Sequence, residues 1–372
     1  MANDILFQPL KMGTQTLKNR IMMAPLTRLR ATEPDDVPTV LAAEYYSQRA
    51  GSGLLITEAT QVSFGAKGYA GAPGLHTEDQ IVAWKVITDA VHAKGGKIVV
   101  QLWHTGLVSH KSVQPEGRAP ISASDTDVKA RTTLRDSEGN AIRVDVTPAR
   151  AASVAEIEQV IADFAQATRN AREAGFDGVE IHGAHGYLLH EFWAEYINKR
   201  DDNYGGSKEN RARFMLGIID ACVAAWDADH IGIRISPWGS FNGVEAGYNV
   251  EDNIWLIEQI NQRGLMYLHL SEPDWAGGES YTEEFRKQIR AAFDNVIVAA
   301  GAYTAEKAVK NVEAGYIDAV AFGRDYIANP DLAERIQQDA PLNEQRPETF
   351  YGGGSEGYTD YPFLADTATS AS

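Results

Sequence analysis

Two histidines and a tyrosine fall on one short turn: His182, His185 and Tyr187 in Ile181-His-Gly-Ala-His-Gly-Tyr187, directly after Gly178-Val-Glu-Ile181, an apolar run that reads as a buried strand. Two imidazoles can grip one oxygen atom, and a phenol on the same turn can deliver a proton. The segment therefore suits polarisation of a substrate followed by its protonation. Histidines at a strand end also serve structure or bind a metal, and the turn by itself leaves these readings open. The competing function is a metal-dependent hydrolase or lyase built on His182 and His185 without a flavin. Against zinc, His182, His185 and His190 carry no carboxylate at the spacing of helical zinc motifs, and turn-like residues separate them.

Strand-like and helix-like patterns alternate along the chain, as expected of a parallel α/β fold. Strands are predicted over 20–24, 54–58, 97–103, 178–182, 231–236, 267–271, 296–300 and 319–323, and amphipathic helices over 154–174, 210–226, 253–263, 283–293 and 305–314. Gly175, Gly264 and Gly315 follow three of these helices where a left-handed cap is needed. The count fits a (β/α)₈ TIM barrel, with a doubly wound sheet as the competitor. Residues 5–18, centred on Gly13, are expected to form a hairpin closing one end of the barrel. Residues 105–150 are too long for a simple connection after the third strand, and are expected to make a lid-like capping excursion. On this reading residues 1–362 form a single domain and 363–372 a flexible tail.

The chain has 372 residues, 44% hydrophobic and 23% charged, an ordinary globular composition. The start has neither the basic region nor the apolar run of a signal peptide, and no stretch is long enough to span a bilayer, so a cytoplasmic location is expected. A net charge of −17 argues against nucleic acid or an anionic membrane as partner, so an anionic cofactor must be held by local donors. The one cysteine, Cys222, lies in a helical apolar run and reads as core; it excludes a disulfide framework and an iron–sulfur cluster. Gly352-Gly-Gly-Ser-Glu-Gly357 satisfies G-x-G-x-x-G literally, yet it follows no strand and opens no helix, so it reads as a loop.

In a parallel barrel the strand C-termini carry the site. Pro25 and Thr27 follow the first strand, Ala59 the second, Gln101 and Trp103 end the third, His182 to Tyr187 the fourth, and Arg234 lies in the fifth. Gly301 and Ala302 follow the seventh strand, Gly323 and Arg324 the eighth, with a short helix expected over 325–332. Those two loops form the usual phosphate site of such barrels.

Six segments in order then carry a family resemblance: Met23-Ala-Pro-Leu-Thr-Arg28, Gln101-Leu-Trp-His-Thr-Gly106, Ala174-Gly-Phe-Asp-Gly-Val-Glu-Ile-His182, Asn198-Lys-Arg-Asp-Asp-Asn-Tyr-Gly-Gly-Ser207 with Glu209-Asn-Arg211, Ala321-Phe-Gly-Arg324 and Gly357-Tyr-Thr-Asp-Tyr-Pro362. The chain resembles the Old Yellow Enzyme family of flavin-dependent ene-reductases from about residue 6 to 362. It looks most similar to the bacterial branch holding N-ethylmaleimide reductase, pentaerythritol tetranitrate reductase and morphinone reductase. The resemblance implies non-covalent FMN, NADPH or NADH as hydride donor, and activated alkenes as substrates, in a monomer or homodimer. It implies that Pro25, Thr27, Ala59 and Gln101 surround the isoalloxazine, that Arg234 faces its pyrimidine end, and that Ala302, Gly323 and Arg324 take the phosphate. His182 and His185 would bind the carbonyl or nitro oxygen of the alkene, Tyr187 would protonate its α carbon, and Tyr69, Trp103, Trp275 and Tyr351 would surround it. Two departures stand out. Leu107 occupies a position where arginine is common, and Trp193-Ala-Glu-Tyr-Ile197 is unlike the small polar residues expected there.

Overall fold

Apolar side chains alternate with a second set along the predicted strands, and that period of two decides which residues face helices and which face the barrel axis. The computed structural model describes residues 4–245 and 249–369. Eight parallel strands close on themselves: β1 (Ile21–Met23), β2 (Leu54–Ile56), β3 (Ile98–Trp103), β4 (Val179–His182), β5 (Ile231–Ile235), β6 (Tyr267–Ser271), β7 (Val296–Ala300) and β8 (Ala319–Phe322). Each pairs with the next, and β8 pairs with β1, so the doubly wound alternative falls and the TIM barrel stands. Around it lie α1 (Val40–Gln48), α2 (Glu78–Ala93), α3 (Val154–Glu173), α4 (Lys208–Ala225), α5 (Val250–Asn261), α6 (Glu283–Ala292), α7 (Ala305–Glu313) and α8 (Leu332–Gln338). Among the described residues no helix is long and apolar enough to cross a membrane.

Residues of one parity, Ile98, Val100, Leu102, Val179, Ile181, Ile231 and Ile233, join the core between barrel and helices. Those of the other parity, including Met22, Leu54, Ile56, Val99, Tyr267 and Val298, fill the lower barrel lumen with Leu10, Met12 and Leu17. The last three come from the expected hairpin, Leu10–Met12 paired antiparallel with Gln15–Leu17. Its turn residue Gly13 has φ +53°, and a Cβ there would strike the Asp229 carbonyl just before β5, so the hairpin plugs the N-terminal end of the barrel. Cys222 is fully buried and its thiol is pushed up to about 12 by that burial, as suits a core residue.

Within 105–150, strands Arg131–Arg135 and Ala141–Asp145 form an antiparallel hairpin. Ala70 N–H donates to the Thr133 carbonyl (2.9 Å), and Arg135 Nη2 to the Leu29 carbonyl (2.7 Å), which packs this hairpin against loops of the C-terminal face. One expectation needs correction. The helix expected over 325–332 is two pieces, Arg324–Ala328 and α8, because Asn329 leaves the helix (ψ 94°) ahead of Pro330, which can neither donate nor tolerate a helical predecessor. Within the segment read as a tail, Leu364–Thr369 is helical and Leu364 N–H donates to Asp331 (2.5 Å); residues 370–372 lie outside the described residues.

One side chain ties α1 to the segment after β8. Arg49 is fully buried and donates to the carbonyls of Tyr326, Ile327 and Tyr45, each at 2.8 Å, with its guanidinium 3.8 Å from the Tyr45 ring centroid. Arg49→Met preserves the stem but strands those carbonyls, so unfolding free energy is expected to drop by roughly 2–4 kcal/mol. Urea denaturation checks this, and an unchanged midpoint would show that Arg324–Ala328 is held by other contacts.

Candidate active site

Because the lumen-facing parity carries Gln101, Trp103, Glu180, His182, Arg234, His269 and Ser271, every polar residue of β3 to β6 on that face converges above the apolar plug. Of these, Gln101, Trp103, His182 and Arg234 line a cavity of about 550 Å³ at the C-terminal ends of the strands. Pro25, Thr27, Ala59, Gln101, Trp103, His182, His185, Tyr187, Arg234, Trp275, Ala302, Gly323, Arg324 and Tyr351 all line it. Tyr69 does not line it, but stands directly behind Tyr187 with their hydroxyls 3.2 Å apart. Trp275 and Tyr351 are rim residues, 42% and 57% exposed.

The polar floor rests on Glu180, fully buried, whose carboxylate accepts from Gln101 Nε2 (2.7 Å), Tyr267 Oη (3.0 Å) and His269 Nδ1 (2.8 Å). Burial opposes its charge, but His269, Arg234 and Gln101 together hold it below the ordinary carboxylate range. Gly232 makes this possible: a Cβ there would collide with the Tyr267 ring. With its amide nitrogen committed to Glu180, Gln101 is left with its carbonyl as a free acceptor. Arg234 is pulled down to about 10 by burial against the attraction of Glu180, so it stays charged at neutral pH. Its Nε has no protein partner and Nη2 reaches Ser271 Oγ at 3.5 Å.

His182 and His185 stand edge to face with ring centroids 5.2 Å apart. Both pKa values lie well below 6.5, chiefly through burial and secondarily through Arg234, so both rings are neutral. Among the described residues His182 Nδ1 is buried without a partner, whereas His185 Nε2 is bonded to Ser271 Oγ at 2.7 Å. The two imidazoles are therefore not equivalent: a substrate oxygen must share or displace the contact of His185. His185 has φ +62°, a strained conformation for a residue with a Cβ, and its backbone is braced by Ser236 Oγ (3.1 Å) and Asn242 Nδ2 (2.9 Å). Tyr187 is pushed well above 10 by burial and by Tyr69, so it keeps its proton. Trp103 packs edge-on against Tyr187 (4.9 Å) and flat against Tyr69 (5.5 Å).

At the other end of the cavity, Arg324–Ala328 opens without a side-chain cap, and Gly323 presents bare backbone, with only Leu26 within van der Waals reach of an added Cβ. The Arg324 guanidinium has no ion pair among the described residues. Uncapped N–H groups beside a free cation are suited to an anion. Ala302 differs, because its N–H donates to Asp274 Oδ1 (2.8 Å), itself paired with Lys307 (2.6 Å). An anion reaching Ala302 has to displace that carboxylate. His190 Nδ1 accepts from Gly186 N–H (2.9 Å), and among the described residues no cluster of three or more His, Cys, Asp or Glu could hold a metal. Leu107 is buried and its N–H donates to Oε1 of Glu191 (2.9 Å), a buried acid raised by burial to about 8. Trp193 turns away and stacks on Trp255 (6.4 Å).

Glu180, Tyr267, His269, Ser271, Asn242 and Asp274 were not singled out from the sequence. The available signal was a carboxylate within a run otherwise read as apolar, and polar residues at Tyr267, His269 and Ser271 sharing one parity on the sixth strand.

A barrel with an anion site after β7 and β8, a buried cation at Arg234 and a flat, aromatic-walled cavity between them fits a flavin-dependent oxidoreductase. Residues 5–343 match the NADH:flavin oxidoreductase / NADH oxidase family. The chain is 46% identical over 371 residues to 12-oxophytodienoate reductase 1 of Oryza sativa subsp. japonica (97% of this chain, 93% of that one), and 42% identical over 370 residues to 12-oxophytodienoate reductase 2 of Arabidopsis thaliana (98% and 96%). Among solved structures, morphinone reductase in complex with tetrahydroNAD superposes with TM-score 0.92 at 44% identity (96% of this chain, 97% of that one). An old yellow enzyme homologue from Zymomonas mobilis gives 0.90 at 38% (96% and 99%). The chain belongs to the Old Yellow Enzyme family. It is an FMN-dependent alkene reductase type of oxidoreductase that takes hydride from a nicotinamide donor.

Since burial holds both rings neutral, the imidazole NMR resonances of His182 and His185 are expected to stay flat from about pH 5.5 to 8. A titration centred near the free histidine value would show that the rings are hydrated.

Proposed function

We propose that this enzyme reduces alkenes activated by a carbonyl, imide or nitro group, such as enones, maleimides and nitroalkenes, and that nitrate esters and nitro compounds are further acceptors. The observation that carries the reading is one cavity wall bearing two neutral imidazoles and a protonated phenol, His182, His185 and Tyr187, opposite a floor that keeps Arg234 charged. Bound FMN supplies the hydride, delivered to the carbon β to the activating group.

The residues fit that cofactor. Arg234 is the cation for the pyrimidine end, Gln101 offers an acceptor beside it, and the Thr27 hydroxyl lies on the same wall with Pro25 and Ala59. Gly323 and Arg324 would hold the phosphate, and Ala302 would join them if its N–H were released by Asp274. His182 and His185 donate to the activating oxygen, where negative charge develops as hydride arrives. Neutral donors suit this step, because they stabilise the charge without surrendering a proton to the oxygen. Tyr187, as general acid, gives its phenolic proton to the α carbon from the face away from the hydride, so addition is trans. Trp103, Trp275 and Tyr351 wall the substrate, and Tyr69 backs Tyr187.

Tyr187→Phe is expected to slow alkene reduction by roughly 10²-fold, the low end of general-acid contributions, while flavin reduction by NADPH stays nearly intact. Anaerobic stopped-flow of the two half-reactions checks this, and equal loss in both would refute the role given to Tyr187. The purified protein is also expected to be yellow, to bleach with NADPH and to recolour with 2-cyclohexenone or N-ethylmaleimide. Colourless protein that gains no tightly bound FMN on reconstitution would overturn the whole reading in favour of chemistry without flavin.

A further inference from the structure

A general acid has to be refilled after each turnover. Tyr187 is half-buried and lines the cavity, and its pKa is driven far up by desolvation, so a phenolate left there is costly and a substrate stacked in the cavity lies over the side from which water would refill it. Behind it the structure holds a second phenol. Tyr69 Oη lies 3.2 Å from Tyr187 Oη, and Trp103, stacked on one ring and edge-on to the other, keeps the two hydroxyls from swinging apart. Tyr69 is only 8% exposed, yet it faces the hairpin Arg131–Arg135/Ala141–Asp145, where Arg143 is exposed to solvent. Arg143 Nη1 is anchored on Thr133 Oγ1 (3.2 Å), and the Thr133 carbonyl accepts from Ala70 N–H (2.9 Å), so the guanidinium is braced against the residues around Tyr69. Burial raises the Tyr69 phenol above its ordinary value, and the Tyr187 hydroxyl and the charge of Arg143 work against that rise.

We propose that Tyr69 is a second proton-handling residue: as Tyr187 gives its proton to the substrate α carbon, Tyr69 passes its own phenolic proton to Tyr187, and the deficit rests on Tyr69 beside Arg143 until solvent at the hairpin refills it. The step balances without an oxidant or reductant. The Tyr187 O–H bond breaks as the substrate C–H bond forms, the Tyr69 O–H bond breaks as that of Tyr187 re-forms, and water returns the proton to Tyr69. Arg143 gives up no proton, since guanidinium stays charged; it lowers the cost of the transient phenolate. The inference rests on the assignment of Tyr187 as donor, and gives a task to Tyr69, which does not itself line the cavity.

The test uses the FMN holoenzyme, reduced anaerobically and mixed with 2-cyclohexenone in H₂O/D₂O mixtures, with ferricyanide as a reference oxidant that needs no carbon protonation. Tyr69→Phe is expected to lower the limiting alkene rate roughly tenfold relative to the ferricyanide rate, without a matching loss of alkene binding. The dependence of rate on deuterium fraction should change from bowed, for two protons in motion, to linear, for one. Arg143→Met should slow the same step less, and Arg143→Lys should restore it in part. A limiting rate within about twofold of wild type with the same deuterium dependence, or a loss confined to alkene binding, overturns the relay. Tyr187→Phe run alongside separates the two readings. If it leaves the alkene rate at the wild-type value, the donor assignment fails and the relay with it; if it slows that rate while Tyr69→Phe does not, the relay alone fails.

Discussion

Everything above the barrel plug depends on a buried carboxylate. Glu180 gathers Gln101, Tyr267 and His269 at hydrogen-bond distance inside a closed sheet. A carboxylate without partners could not stay charged there, and donors without an acceptor would be equally costly. Each charge-assisted bond contributes on the order of 1.5–3 kcal/mol, and together they keep the charge. That charge offsets part of the burial penalty of Arg234, which would otherwise have little reason to remain a cation on the cavity floor. It also commits the amide nitrogen of Gln101, and so decides which end of that side chain the cavity meets.

The same low polarity that makes Glu180 expensive gives the other wall its chemistry. His182 and His185 lose their basicity and Tyr187 its acidity for one reason, burial, reinforced by neighbours of known sign. Neutral donors beside an acid that holds its proton suit a reaction in which negative charge appears briefly on oxygen and is discharged on carbon. The strained backbone of His185 and the contact of its ring with Ser271 show that this wall is set by the fold rather than by the turn itself.

Much of this was legible in the residue pattern. The barrel, its strand ends, the plugging hairpin and the order of the loops follow from alternation, glycine caps and proline positions, all local properties of the chain. Fourteen of the fifteen site residues singled out from sequence line a single cavity. The misses have physical causes. Pro330 divides the helix expected over 325–332, where amphipathic spacing outweighed a local breaker in the reading. Glu180 passed as part of an apolar strand because only its partners on the third and sixth strands make it tolerable. The engagement of Ala302 by Asp274, and of His185 by Ser271, joins loops or strands remote in sequence, which no spacing rule encodes.

By itself, then, the sequence determined which residues share the inner face of each strand, because parity along an extended chain is a covalent fact. It also determined which glycines open the loops after β7 and β8. Only the tertiary structure decided charge states and pairings: a neutral His182 lining the cavity, a charged Arg234 on its floor, and two tyrosine hydroxyls 3.2 Å apart from positions 118 residues distant in the chain. The reason is that desolvation and hydrogen bonding are set by what surrounds a group, and in a closed barrel those surroundings come from every strand at once.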